Sequence, residues 1–521
     1  MKLSFTKYIA ILSGLSAIAF GQNTPFDFSL GKVSEATVNS SSSQLSNSIT
    51  DIVISGDTVW LGTGKGLSRS TDGGTTWTNY FQSAAFGEED ISAIAVSGKN
   101  IWAATAHSVE KDGQNLPVGS GLRHSSDGGE TWEIIPQPVD VNNIDTLYYN
   151  DKSFIRALGI TTEINNITYD ISLSKNTVWI CSFAGMARKS TDSGKTWQRV
   201  ILPPDNLNSI ALTDSLVFDL SPSGGALELQ NNLNHRAFSV LAENDSTIWI
   251  GTAGGINKST DGGISWVRYT KQNQLDPISG NFVVALGKQT AGSAHTIWAA
   301  TINANDPTEK RGVSVTTDGG TTWKQELLGE FPHNFGFKNN IVYIPTDNGV
   351  WRSTDKGNSW IKTGTIYDQK KNQLYTQTNF FAAAALQDVV WLGGADGIAL
   401  TTDNSTSSFG TSWTLLHSSV ASTFAGNSYA YPNPFAPDDE VVRIHYTSEG
   451  ILGLVSIHVF DFGMNLVKTV IQRTIRSGDT EHDEIWDGKD EFGNFVSNGV
   501  YFYQITLPNH EPIWGKILVI R

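Results

Sequence analysis

The chain has 521 residues, among them 50 Gly, 16 Trp and 24 Phe, and only 17% are charged. That length exceeds one ordinary domain, and abundant Gly and aromatics at low charge suit short strands joined by tight turns rather than amphipathic helices. A net charge of −15 and a pI near 5.1 argue against nucleic acid as a partner, because phosphates need a basic footprint.

In chain order, the first element is a targeting segment. Lys2 and Lys7 precede an apolar run from Ile9 to Phe20, and Ala19-Phe20-Gly21 offers small residues at the −3 and −1 positions. Residues 1–21 therefore read as a secretory signal peptide cut before Gln22. The run is short for the alternative, an uncleaved anchor, and no Cys follows it to carry a lipid. No transmembrane span is expected after cleavage. Residues 22–46 read as an N-terminal extension. The single Cys, Cys181, excludes an internal disulfide, as a fold of this size can tolerate.

From residue 47 the chain repeats itself. Ser70 to Trp77 reads STDGGTTW, and the phrase returns at Ser125 to Trp132, Ser190 to Trp197 and Ser259 to Trp266. It appears again at Thr316 to Trp323 and Ser353 to Trp360; a seventh copy opens at Thr401 and, after an insertion, closes at Trp413. The phrase resembles the Asp-box (BNR) repeat of sialidase-like propellers. An Asp side chain accepts hydrogen bonds from N–H groups about two residues on, Gly supplies positive φ, and Trp fills a thin sheet. Asp72, Asp127, Asp192, Asp261, Asp318, Asp355 and Asp403 are accordingly expected to lock turns rather than to react.

Upstream of each box lies an apolar strand with an aromatic: Val59-Trp60-Leu61, Ile101-Trp102-Ala103, Val178-Trp179-Ile180 and Ile248-Trp249-Ile250, then Ile297-Trp298-Ala299, Val342-Tyr343-Ile344 and Val390-Trp391-Leu392. A further apolar alternation precedes each, so every unit reads as strands a, b, c, the box hairpin and strand d. Four antiparallel strands repeated seven times predict an all-β fold: a seven-bladed β-propeller over 47–417. Thirteen of the 16 Trp fill these two slots, so Trp content does not by itself indicate a carbohydrate binder.

Alternating strand direction sends the b–c loops and d-to-a connections to one end, and the a–b turns and boxes to the other. Insertions at His107 to Gly121, Ile302 to Gly312, 133–169 and 198–237 are all expected at the first end, with only Asn404 to Phe409 opposite. That loop-rich face is the expected binding face. Asp51 and Asp170 lie nine residues before the strand-b Trp, and Asp90 near the matching point of the second unit. These carboxylates are the candidate binding residues, able to ring the channel mouth and hold a cation or a sugar; solvated strand starts are the competing reading. Metal ligation is left unassigned.

Sialidases carry an Arg triad, a Tyr nucleophile with Glu, an Asp acid/base and an Arg-Ile-Pro motif. No Arg-Ile-Pro occurs here, and Arg69, Arg123, Arg188 and Arg352 lie on strands c, away from the axis. The chain also resembles the propellers of xyloglucanases, which pair two propellers around a cleft where this chain has one. No HExxH, zinc spacing, phosphate loop or GxSxG is present. No catalytic residue and no cofactor is assigned.

After Trp413 the repeat stops, and 418–428 is a small polar linker. Tyr431-Pro432-Asn433-Pro434-Phe435, Trp486-Asp487-Gly488-Lys489-Asp490 and Asn498-Gly499-Val500-Tyr501-Phe502-Tyr503 follow. Residues 429–521 resemble the FlgD-type immunoglobulin-like domain and the C-terminal sorting domains of type IX secretion. The resemblance implies an immunoglobulin-like β-sandwich that engages export machinery, against a plain spacer. The expected function is an exported, non-enzymatic propeller that binds a glycan or protein ligand, at the cell surface or in the medium. The alternative is a glycoside hydrolase acting on extracellular polysaccharide.

Overall fold

The computed structural model describes residues 39–111, 114–141, 146–220, 232–291, 294–303, 306–371, 373–418, 428–438, 440–447, 453–476, 481–508 and 512–520. The expected signal peptide, residues 1–21, and most of the expected 418–428 linker lie outside these. The described residues are all-β, with one short 3-10 turn at Leu233–His235 and no helix long and apolar enough to cross a membrane.

Seven sheets each contain four consecutive antiparallel strands. Their innermost strands are Ile49–Ser55, Asp90–Ser97, Thr168–Leu173, Ala237–Ala242, Phe282–Ala291, Gly336–Lys338 and Phe380–Leu386. Each consecutive pair of sheets shares one apolar cluster, and Ile49 and Ile52 of the first pack with Ala382 and Trp391 of the seventh. The sheets therefore close into a ring around an axis, a propeller-like arrangement. The seam is stitched from the N-terminal side: Asn39–Ser41 adds a strand to the outer edge of the first sheet, and Gln44 donates to the Leu416 carbonyl at 2.9 Å.

The repeated aromatics make the inter-sheet joints. Trp60 meets Trp132 of the next sheet edge-on at 6.3 Å, and Trp102–Trp197, Trp249–Trp323, Trp298–Trp360 and Trp391–Trp77 repeat that geometry. The second glycine of the box follows from it. A Cβ on Gly129 would sit 2.6 Å from Trp60, and one on Gly263 would sit 2.6 Å from Trp179, both at positive φ.

The boxes themselves are locked as a unit. In the first, Asp72 accepts from the Thr76 N–H (2.9 Å), the Thr76 hydroxyl (2.6 Å) and the Ser70 hydroxyl (2.9 Å), while Ser70 Oγ accepts from Gly74 N–H. The Asp thus reaches four residues on, not two. Asp127, Asp192, Asp261, Asp318 and Asp355 take the same reach to the fourth residue. Asp403 does not. The Asn404–Phe409 insertion pulls the turn away, Asn404 caps the new turn through Thr406 and Ser407, and Asp403 is buried against Arg352 (2.6 and 2.8 Å) and the Tyr343 hydroxyl of the sixth sheet.

The remaining strands, from Ser428–Tyr431 to Ile513–Val519, form a three-stranded and a four-stranded sheet around one core containing Phe435, Trp486, Tyr501 and Tyr503. This module meets the seventh sheet through buried charge. Arg443 donates to both oxygens of Asp396 at 2.7 Å, Thr376 donates to Asp396, and Gln373 donates to Asp483.

Candidate functional site

Asp396 lies in the b–c turn of the seventh sheet and Gln373 in the connection entering it, so the C-terminal module stands at the loop-rich end. Two other expectations about that end change. His107 to Gly121 is no loose loop but the tip of a long hairpin, Asn100–Lys111 with Gln114–Ser125. The 133–169 and 198–237 connections do not stay on the face. Phe154–Ala157 pairs in parallel with Val217–Leu220, Ser209–Ile210 adds a fifth strand to the fourth sheet, and the Tyr149 hydroxyl donates to Ile264 at the box end. Their apolar side chains, including Ile155, Leu216 and Leu220, fill the wedge between the third and fourth sheets, where burial draws them. At the box end the fifth sheet also projects a long a–b hairpin, Phe282–Ala291 with Ala294–Ile302. A groove of about 450 Å³ runs beside it, lined by Lys258, Lys356, Glu243 and Thr317 among others.

At the axis, one irregularity recurs. In six sheets the innermost strand carries a β-bulge at the same point, and the bulged residues are Thr50, Ser92, Tyr169, Phe238, Val284 and Phe381. Extending the sixth sheet's register from Gly336↔Tyr343 and Pro332↔Thr346 puts His333 at the same point. A bulge turns one extra side chain aside, and repetition around the ring gathers seven of them. Two are hydroxyls that tie sheets together: Thr50 donates to Ile91 O and Ser92 to Thr168 O, both at 2.8 Å. Most of the others are aromatic. Tyr169 meets Phe238 at 5.4 Å, Phe238 meets Phe282 at 4.5 Å, and His333 meets Phe331 and Phe381 at 5.2 and 5.1 Å. Tyr169, Phe331, His333 and Phe381 stay partly open.

Immediately below stand Asp51, Asp170, Ser239 and Asn334, at one register level. Asp170 accepts from its neighbour Ile171 N–H and from Val240 N–H of the fourth sheet, each at 2.8 Å. Asp51 does the same with Ile52 and with Ile94 of the second sheet, and Asn334 approaches it at 3.5 Å. Each carboxylate is thus a clasp between adjacent sheets. Protein surrounds both while leaving them partly open. Burial raises Asp51 to about 6 and Asp170 to about 7, the latter also feeling Asp51.

Asp90 does not join them. Ala93 occupies the matching register, and Asp90 pairs with Ala106 at the foot of the long hairpin. Burial and then Glu89 raise it to about 7. Beside it, His107 Nδ1 contacts both Glu89 (3.0 Å) and Ser120 (2.8 Å). A proton relay needs serine and acid on opposite ring nitrogens, so this trio is not a hydrolytic triad. Among the described residues no group of three His, Cys, Asp or Glu side chains is placed to hold a metal ion.

No family model and no curated protein matches the chain. Among solved structures the fold is similar to an ancestral GH74 enzyme, at 16% identity and TM-score 0.50, covering 92% of this chain and 63% of that one. The GH74 enzyme of Niastella koreensis aligns at 13% identity and TM-score 0.48, over 91% and 73%. YCF48 bound to D1 peptide aligns at 15% and 0.41, over 72% and 100%. The chain is an all-β, propeller-like protein. At these identities the likeness concerns the fold alone.

Proposed function

We propose that the chain is an exported, non-enzymatic, seven-bladed Asp-box propeller that binds a glycan at the loop-rich mouth of its axial channel. Its immunoglobulin-like C-terminal module serves secretion or surface attachment. The observation that carries the reading is the ring of bulged side chains, mostly aromatic, above Asp51 and Asp170. Aromatic faces stack on sugar rings, and the carboxylates below accept hydroxyl hydrogen bonds. Both carboxylates already hold backbone N–H groups of neighbouring blades, which favours binding over acid–base turnover. The sorting role rests on the YPNPF and WDGKD resemblance, and extracytoplasmic delivery on the signal peptide.

The test is retention of the mature chain, residues 22–521, on immobilised neutral β-glucan and on polyuronate, with reducing-end release measured alongside. Retention without release is expected. Release lost in Asp51→Asn or Asp170→Asn would establish the glycoside hydrolase instead, and binding to neither polymer would remove the glycan reading. Deleting 429–521 is expected to hold the protein inside the envelope; unchanged delivery would dismiss the sorting role.

A further inference from the structure

Among the described residues, the wedge between the third and fourth sheets buries more positive than negative charge. Arg188, Arg199, Arg236 and Arg268 lie there with Asp140 and Asp205. Arg188 and Arg199 share Asp140. Arg268 is held by carbonyls: its Nε donates to Gly254 O at 2.8 Å and its Nη1 to Asp205 O at 2.7 Å. The Asp205 carboxylate is itself occupied by the Leu233 and Asn234 N–H groups at 2.8 Å. Among the described residues, that leaves four guanidiniums against two carboxylates.

Arg236 is the extreme case. It is 1% exposed, its guanidinium lies over the Phe183 ring at 5.6 Å, and its Nε and Nη1 have no hydrogen-bond partner. Beside it, the Leu202 N–H donates to His235 Nε2 at 3.2 Å. That bond puts the imidazole proton on Nδ1, and Nδ1 is buried without an acceptor. Arg199 Nε and Nη1 and Arg188 Nη2 are unpartnered too. The same imidazole feels Arg236, Arg268 and Arg199, so the three cations share one neighbourhood with it. Every unmet group is a donor. Buried donors and cations left unmet are costly, and the chemistry that satisfies them is an oxyanion.

We infer that this wedge is an oxyanion site, in which Arg236 is the principal donor for a phosphate, sulfate or carboxylate group. Arg236 lies at the top of the fourth sheet's innermost strand, where the Ala253 N–H bonds to Arg236 O at 2.9 Å. The site is distinct from the axial carboxylates and does not depend on the glycan reading.

The experiment measures the thermal midpoint of the mature chain against sodium phosphate, sulfate and acetate, each matched in ionic strength by sodium chloride. At least one oxyanion is expected to raise the midpoint by about 2–5 °C at millimolar concentration. A response to acetate assigns the site to carboxylate-bearing ligands, and a response confined to phosphate or sulfate assigns it to tetrahedral ions. Arg236→Gln should abolish the response without lowering the midpoint in chloride, because an unpaired buried charge has been removed. Arg236→Lys keeps the charge but loses the fork, and should weaken binding about tenfold. No response to any oxyanion in the parent chain, or an undiminished response in Arg236→Gln, would overturn the inference.

Discussion

The two ends of the ring are built by opposite rules. At the box end, six sheets use the same serine or threonine, aspartate and glycine in the same hydrogen-bond pattern, and the box Trp of five of them closes a Trp–Trp joint to a neighbouring sheet. At the loop-rich end hardly two sheets agree: the bulge position alone holds Thr, Ser, Tyr, Phe, Val, His and Phe. Repetition is what closure of a ring requires, so the uniform end is scaffold. A position that keeps its backbone irregularity while varying its side chain is free to serve a ligand instead.

This contrast can be broken by stability measurements. The largest loss is expected from Trp249→Ala, which empties a joint buried to 1% exposure and should cost about 3–5 kcal/mol in denaturant unfolding. Asp403→Ala is next, at roughly 2–4 kcal/mol, because it strands Arg352 and the Tyr343 hydroxyl in a buried setting. If Asp403 instead matched Asp72, the claim that the seventh box has exchanged its turn lock for an inter-sheet ion pair would fail.

Asp170 gives a smaller, pH-dependent effect. Its folded pKa of about 7 lies above the ordinary carboxylate value, so between about pH 4 and 7 the folded state holds a proton that the unfolded state has released. Its contribution is therefore fully present below pH 4 and lost as pH rises through 7. Comparing Asp170→Ala with the parent should show that stability difference shrinking across this window; a difference independent of pH would contradict a buried axial position. Asp72→Ala, at an exposed turn, should lower the midpoint least of all.

The boxes and the strand-b aromatics made the sheets legible, because each spells a turn or a buried face in local chemistry. The joints followed from Trp at fixed spacing. The axial site was half legible. Asp51 and Asp170 stand out as carboxylates before apolar strands, but Tyr169, Phe238 and Phe381 do not, since alternation assigns every second residue to one face and a bulge breaks that count. The same slip explains Asp90, which lies three residues before the true match, Ala93. The long connections leave that end because strand order sets only where a loop starts, while Ile155, Leu216 and Leu220 answer to burial. The buried arginines carry no sequence signal; only the enclosing fold shows that Arg236 Nε and Nη1 lack partners.

The most direct test of the loop-rich end as the binding end is a paired substitution. Tyr169→Asp with Phe381→Asp alters the mouth, and Lys258→Glu with Lys356→Glu alters the groove at the box end. Retention of the folded variants on immobilised β-glucan and polyuronate should be lost for the mouth pair and kept for the groove pair. Retention that survives at the mouth and fails at the groove would place binding on the uniform end and contradict the account.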